Sequence, residues 1–280
     1  KVFAPYRSVR KVSVFGSART PSDRFEYKMA ERFASGVTRL GYMVITGAGP
    51  GIMEAAQGGA GRARSFGVNI RLPFESKANE VIQDDPKLIH FKYFFTRKVC
   101  FLKETDAVVI FPGGFGTHDE AFESLTLVQT GKSHLVPIVF VDRPEGTYWS
   151  DWLKYIRKHL VDSGYVDGFD ESLFQVTTSV DEAVATVDRF YLNYHSCRYV
   201  RPLQVIRLKH PVSDELLKRL NRDFRDITVA GSIERLPCAL EPEIDEPEAL
   251  DLYRIAFRFD RKSYGRLREM IDVLNDDAAG

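Results

Sequence analysis

Three turns in this 280-residue chain concentrate glycine where an anion could be held: Gly16-Ser17-Ala18-Arg19, Thr46-Gly47-Ala48-Gly49-Pro50-Gly51 and Pro112-Gly113-Gly114-Phe115-Gly116-Thr117. Each follows a short apolar run and leads toward a helical pattern, so free backbone N–H groups and a helix dipole converge on it, and a phosphate is the expected ligand. A single such turn is explained by a tight strand-to-helix connection, but three at one sheet edge expose more backbone than turning requires. Side chains able to act on the bound group lie nearby. Glu120 and Glu123 sit three apart in the first turns of the helix after the third loop, on neighbouring positions of one face. Glu123 also reads as dipole compensation. Arg97 and Lys98 lie early in the helix that feeds the strand before that loop. Such a pair is usually a solvated face, but its location favours contact with a phosphate or a leaving group.

Two familiar phosphate motifs are rejected. The run at Gly47 has Ile52 where G-x-G-x-x-G needs its last glycine, and the next strand ends near Asn69 and Arg71 without the ribose-binding acid. Gly131-Lys132-Ser133 resembles the end of a P-loop, yet Thr126 stands where glycine is required and the tripeptide closes a helix. None of the six histidines has metal-ligand spacing, so no metal is expected. Cys100, Cys197 and Cys238 are odd in number and far apart, which suits reduced thiols that serve as packing residues.

These residues need a scaffold, and hydrophobic periodicity supplies one. Strands are predicted over 11–16, 42–46, 66–72, 107–111, 135–141 and 174–177. Helices are predicted over 22–40 (capped by Ser22), 51–64, 91–103, 116–130, 147–163 and 180–194. Such alternation predicts an α/β fold, a Rossmann-like open parallel sheet with helices on both faces. Ligands of such sheets bind beyond the carboxyl ends of the strands, where the three glycine turns fall. After about His195 the pattern changes to a strand (203–208), a helix (214–224), two strands (227–236 and 253–259) and a helix (264–274), with an acidic, proline-bearing loop at 241–248. The expected division is therefore residues 1–195 and a small α+β extension, 196–280.

Composition narrows the function classes. Lys+Arg 39 balance Asp+Glu 39, so charge gives no reason to expect a nucleic-acid or anionic-membrane partner. The longest strongly apolar stretch, 135–141, is interrupted by Pro137 and is far short of a membrane span. The first eleven residues are basic without the apolar core of a secretory signal, and a cytoplasmic location is expected.

The run Pro112-Gly113-Gly114-Phe115-Gly116-Thr117-His118-Asp119-Glu120 matches the PGGxGTxxE signature, and the chain resembles the LOG ("Lonely guy") family, cytokinin riboside 5'-monophosphate phosphoribohydrolases often labelled lysine decarboxylases. The likeness runs from about Lys11 to Tyr194. It includes the turn at Gly16, the run Gly47 to Gly51 followed by Ile52-Met53-Glu54, and the Arg97-Lys98 pair. The tail lies outside the compact family core. The resemblance implies hydrolysis of a purine nucleoside 5'-monophosphate to free base and ribose 5-phosphate, without a cofactor, by a homodimer or larger homo-oligomer. In its terms Arg97 and Glu120 are catalytic. Gly113, Gly114, Gly116 and Thr117 bind phosphate, with Ser17, Gly47, Gly49 and Gly51 completing the site. Lys98, Met53 and Glu54 are further substrate contacts.

Glu120 would stabilise an oxocarbenium-like ribose and orient water, and Arg97 would act electrostatically, since its pKa makes it a poor proton donor. The loop over 73–90, with Glu75, Lys77, Asn79 and Glu80, reads equally as a lid over the base or as an ordinary surface loop. Two rivals stay open at this stage. A pyridoxal-dependent decarboxylase would need a Schiff-base lysine, for which only Lys98 stands near. A non-catalytic nucleotide sensor or carrier would use the same glycine turns without hydrolysis.

Overall fold

A computed structural model of the chain describes residues 2–70 and 77–279. It divides into two compact units: Lys1–Thr126, Val136–Val166 and Phe174–Asp188 form the first, and Leu127–Leu135, Asp167–Leu173 and Arg189–Gly280 the second. The expected single cut near 195 thus differs from the compact units. The second also takes in two short segments from the middle of the chain, because Gly131 packs against the Tyr264 ring and Gly265 against the backbone of Phe169.

The first unit is built on seven parallel strands: β1 (Lys11–Phe15), β2 (Met43–Thr46), β3 (Ser65–Ile70), β4 (Leu88–Phe91), β5 (Ala107–Ile110), β6 (Ile138–Val141) and β7 (Phe174–Thr177). Their spatial order is β4-β3-β2-β1-β5-β6-β7. This is the Rossmann-like α/β sheet that the alternation of elements predicts. Between them run helices α1 (Phe25–Arg39), α2 (Ile52–Ala60), α3 (Phe94–Glu104), α4 (Phe115–Gln129), α5 (Tyr148–Ile156) and α6 (Val180–Phe190). Central strands are buried on both faces, and the period of two divides their side chains between two cores. Val12, Val14, Val139 and Val141 pack with Phe33, Ala34 and Val37 of α1 and with α2 and α6 residues. From the opposite face, Phe140 meets Trp149 and Trp152 of α5 at ring-centroid distances of 4.7 and 4.8 Å, and Phe15 meets Phe101 of α3 at 5.0 Å.

Strand order reverses between β1 and β5. Chain leaves β1 toward one edge and β5 toward the other, which opens a crevice beyond their carboxyl ends.

Several local boundaries differ from those expected. Helix α1 starts at Phe25 with Arg24 as its N-cap and no side-chain cap bond, so Ser22 does not cap it. Helix α2 stops at Ala60 because Gly61 takes a φ of 75°. The helix expected over 147–163 is α-helical only to Ile156 and continues as a π-helical turn over Arg157–Val161. Strand β4 falls inside the expected loop 73–90 and at the start of the expected helix 91–103. Residues 71–76, including Glu75 and the end of the strand expected over 66–72, lie outside the described residues.

The second unit carries an antiparallel sheet of β8 (Tyr194–Val200), β9 (Leu203–Leu208), β10 (Thr228–Leu236) and β11 (Tyr253–Phe259), ordered β10-β11-β9-β8, with α7 (Asp214–Asp223) and α8 (Tyr264–Asp277). Strand β8 begins where the expected helix 180–194 was to end. A buried ion cluster holds this unit's 241–250 loop: Arg207 Nε donates to Glu243 Oε1 at 2.7 Å, and Arg254 Nε lies 3.3 Å from the same carboxylate. No helix among the described residues is long and apolar enough to cross a membrane.

Phe33 has no exposed surface and meets Phe111 edge-on at 6.4 Å. Phe33→Ala is expected to cost the first unit about 3–5 kcal/mol, read from urea unfolding. A loss below about 1 kcal/mol would mean that this contact does not fix α1 on the sheet.

Candidate functional site

The loops after β1, β2 and β5 are tied to one another by main-chain bonds. Ser17 N donates to Pro112 O at 3.1 Å, and Ile52 N donates to Ser17 O at 3.1 Å. Gly51 explains how they come so close. Its φ is 67°, and a Cβ there would lie 2.4 Å from the Ser17 carbonyl oxygen, so a side chain would force the first two loops apart. Gly51 is buried and does not line the cleft that these loops surround.

That cleft has a volume of about 1070 Å³ and belongs entirely to the first unit. The glycines on its wall have different physical reasons. At Gly113 a Cβ would strike Thr117 Oγ1, so this turn is closed by its own helix. At Gly114 and Gly116 a Cβ would meet nothing within 4 Å, so neighbouring protein atoms do not demand glycine there and the backbone of the turn is left open. At Gly47 and Gly49 a Cβ would lie 2.9 Å from Met53 Sδ and 2.7 Å from its Cε. Met53 therefore closes over this turn and forms part of the wall. Phe15, Ile70, Phe94 and Phe101 add apolar surface.

Helices α3 and α4 bring the charged groups together. Arg97 Nη2 donates to Glu120 Oε1 at 3.3 Å, and both side chains line the cleft while being largely buried. Burial is the largest influence on Glu120 and pushes its carboxyl above the usual range. Lys98 and Arg97 pull it down, and Glu123 and Asp119 push it up again. The Arg97 guanidinium sits 5.3 Å from the Phe94 ring centroid and 5.8 Å from that of Phe101. Its Nε is buried with no hydrogen-bond partner among the described residues. A buried donor without an acceptor is costly.

Lys98 points elsewhere. Its ammonium lies 2.5 Å from Glu123 Oε2, 2.9 Å from Asp119 Oδ2 and 3.9 Å from Glu120 Oε2, and it does not line the cleft. Burial works against its charge, but the Glu123 and Asp119 carboxylates outweigh it and raise its pKa. Glu54 also lies off the cleft, beside Tyr27 of α1, whose phenol is pushed up by burial and then by Glu54. Of the residues singled out from sequence, the structure gathers Ser17, Gly47, Gly49, Met53, Arg97, Gly113, Gly114, Gly116, Thr117 and Glu120 around the cleft; Gly51, Glu54 and Lys98 stand outside it.

Residues outside that set also line or support the cleft. Arg19 belongs to the first glycine turn, and Phe94 precedes Arg97 by three, a helical spacing that places both on one face. Lys77, exposed, also lines the cleft. Asn79, buried, donates through Nδ2 to Gly49 O at 2.9 Å and Gln57 Oε1 at 2.7 Å, bracing the second turn from behind. His118 lines the cleft and contacts Tyr148 Oη at 2.7 Å, and Tyr148 O–H donates to Gly113 O at 2.5 Å. Because the tyrosine proton is committed to that carbonyl, His118 must donate through Nε2–H. A pyridoxal group finds no fit here. Lys98 is held charged by carboxylates and Lys77 is solvated, so neither has the desolvated amine that Schiff-base chemistry needs.

Residues 52–187 match the family model described as "Possible lysine decarboxylase". A cytokinin riboside 5'-monophosphate phosphoribohydrolase of Mycobacterium tuberculosis (strain ATCC 25618 / H37Rv) is 28% identical over 168 residues, covering 60% of this chain and 88% of that protein. Over this region the chain is similar to the LOG family. Among solved structures, a structural-genomics target is 24% identical with a TM-score of 0.44, covering 65% of this chain and 99% of its own. The molybdenum cofactor carrier protein of Chlamydomonas reinhardtii is 19% identical with a TM-score of 0.44, covering 65% and 97%. The LOG-family match lies within the first unit and the segments interleaved with it, short of the tail.

Lys98→Met removes a charge that lowers the Glu120 pKa while leaving the acids that raise it. The Glu120 carboxyl is therefore expected to titrate at higher pH in the variant, as followed by carboxyl-carbon NMR. An unchanged or lower midpoint would show that Lys98 does not tune this acid.

Proposed function

We propose that the protein hydrolyses the N-glycosidic bond of a purine nucleoside 5'-monophosphate, AMP or an N6-prenylated cytokinin nucleotide, releasing the base and ribose 5-phosphate. One observation carries this reading: a buried carboxylate, Glu120, paired with Arg97 on the wall of a cleft whose adjoining edge is the open backbone of Gly114 and Gly116. The phosphate binds the N–H groups of the 113–117 turn at the start of α4, where the helix dipole favours an anion. Ser17 and the Gly47–Gly49 turn complete its surroundings. The apolar wall of Phe94, Phe101 and Met53 receives the base.

As the glycosidic bond breaks, its electron pair leaves with the purine and positive charge develops at the anomeric carbon. Glu120 stabilises that charge and orients the water that adds there. Arg97, held against the Phe94 and Phe101 rings and paired with Glu120, acts electrostatically on the departing base or the ribose hydroxyls. Phosphate binding, remote from the broken bond, fixes the ribose against Glu120. No organic cofactor or metal enters these steps.

We also assign the chain to a homodimer or larger homo-oligomer in the cytoplasm. Phe95 and Val99 lie four apart on α3 and are 66% and 61% exposed, an apolar stripe suited to a second copy.

Incubation with AMP is expected to yield adenine and ribose 5-phosphate on chromatography, and Glu120→Gln to lower turnover by about 10²–10⁴-fold while AMP still binds. Tight AMP binding by the unaltered protein without any base released would favour a sensor or carrier instead. Because Glu120 must be ionised, activity falls as pH drops through a pKa above that of ordinary glutamate, and comparing AMP with isopentenyl-AMP identifies the preferred base. Val99→Glu is expected to shift the mass seen by light scattering to that of one chain; an unchanged mass would remove α3 from the interface.

A further inference from the structure

A second cavity, of about 690 Å³, opens within the first unit beyond the ends of β1, β5 and β6. Ser17 and Arg19 line both it and the cleft, so the two adjoin at the edge of the phosphate loop. Its walls are strongly charged. Three guanidinium groups, Arg19, Arg24 and Arg143, face Glu26, Asp142 and Asp151.

The acids are already engaged. Asp142 is 3% exposed and accepts from Arg143 N at 2.8 Å through one oxygen and from Trp149 N at 3.2 Å through the other. Asp151 holds Lys154 at 2.9 Å, and Glu26 lies 3.9 Å from Arg143. Arg19 and Arg24 have no ion-pair partner among the described residues. Two helices also begin at this cavity, α1 at its Arg24 N-cap and α5 at its Thr147 N-cap, and neither has a side-chain cap bond. The uncompensated charge is therefore positive, in a hollow large enough for more than one phosphate group.

We infer that this cavity is an anion subsite that takes a second phosphate group beside the one held by the 113–117 turn. The inference rests on the nucleotide reading of the cleft. The second phosphate has two sources, the outer phosphate of a nucleoside 5'-diphosphate whose first phosphate lies on the glycine loop, or a separate inorganic phosphate anion. The shared border at Ser17 and Arg19 favours the diphosphate, because one covalent phosphate chain can follow two adjoining walls. Arg24 and Arg143 supply the charge that a monophosphate in the cleft does not reach.

The test is calorimetric titration of the full chain, unaltered and as Arg24→Gln with Arg143→Gln, against AMP, ADP and inorganic phosphate. A second variant, Arg24→Gln alone, alters only an exposed side chain and leaves the Glu26–Arg143 pair intact. ADP is expected to bind at least tenfold more tightly than AMP, and both variants to reduce that margin while AMP affinity stays within twofold. If the anion is separate, inorganic phosphate binds in the presence of saturating AMP and weakens at least tenfold in the double variant. The inference is overturned if ADP binds no more tightly than AMP and phosphate gives no binding beside AMP, or if neither margin responds to the arginines. Failure of AMP to bind, with arginine-dependent phosphate binding intact, would instead sink the nucleotide reading and leave the anion subsite standing.

Discussion

A carboxylate held out of water governs the arrangement of the first unit. Removing Glu120 from solvent costs several kcal/mol unless opposite charge and hydrogen bonds accompany it, and Arg97 and Lys98 supply that charge from the neighbouring helix. Their registers must therefore agree: α3 has to present Arg97 to the cleft and Lys98 to the outer acids, while α4 presents Glu120 inward and Asp119 and Glu123 to Lys98. The Gly47 turn contributes by absence. A Cβ there would come within 3.6 Å of Arg97 Nη1 and strike Met53, so glycine keeps the pair's surroundings open.

The parallel sheet was legible because its central strands are short, largely apolar runs and β1, β2 and β5 lead into glycine turns, the pattern of strands buried on both faces. Leu88-Ile-His-Phe and the polar run beginning at Tyr194 escaped notice for the opposite reason. Both are edge strands, half-exposed and of mixed composition, and they owe their conformation to pairing with β3 and β9 rather than to their own apolar content. Similarly, Ser22 has the chemistry of a cap, but two further residues, Asp23 and Arg24, intervene before α1 starts.

Most of the cleft was legible for a topological reason: residues that follow successive strands of a parallel sheet must gather at one edge. What sequence spacing does not encode is side-chain direction. Lys98 is adjacent to Arg97 and Glu54 to Met53, yet on a helix a neighbour in sequence points about 100° away, and each of these acids and bases turns toward other partners. Gly51 carries the same lesson in the backbone. It belongs to a phosphate-type turn by sequence, but its positive φ serves the approach of two loops instead of opening onto the cleft.

The interleaving of the two compact units has a consequence for how this protein can be taken apart. The chain passes from one unit to the other after Thr126, Leu135, Val166, Leu173 and Asp188, so a single proteolytic nick leaves them covalently joined. Grafting residues 196–280 onto another scaffold would leave behind segments 127–135 and 167–173, which cluster with that tail.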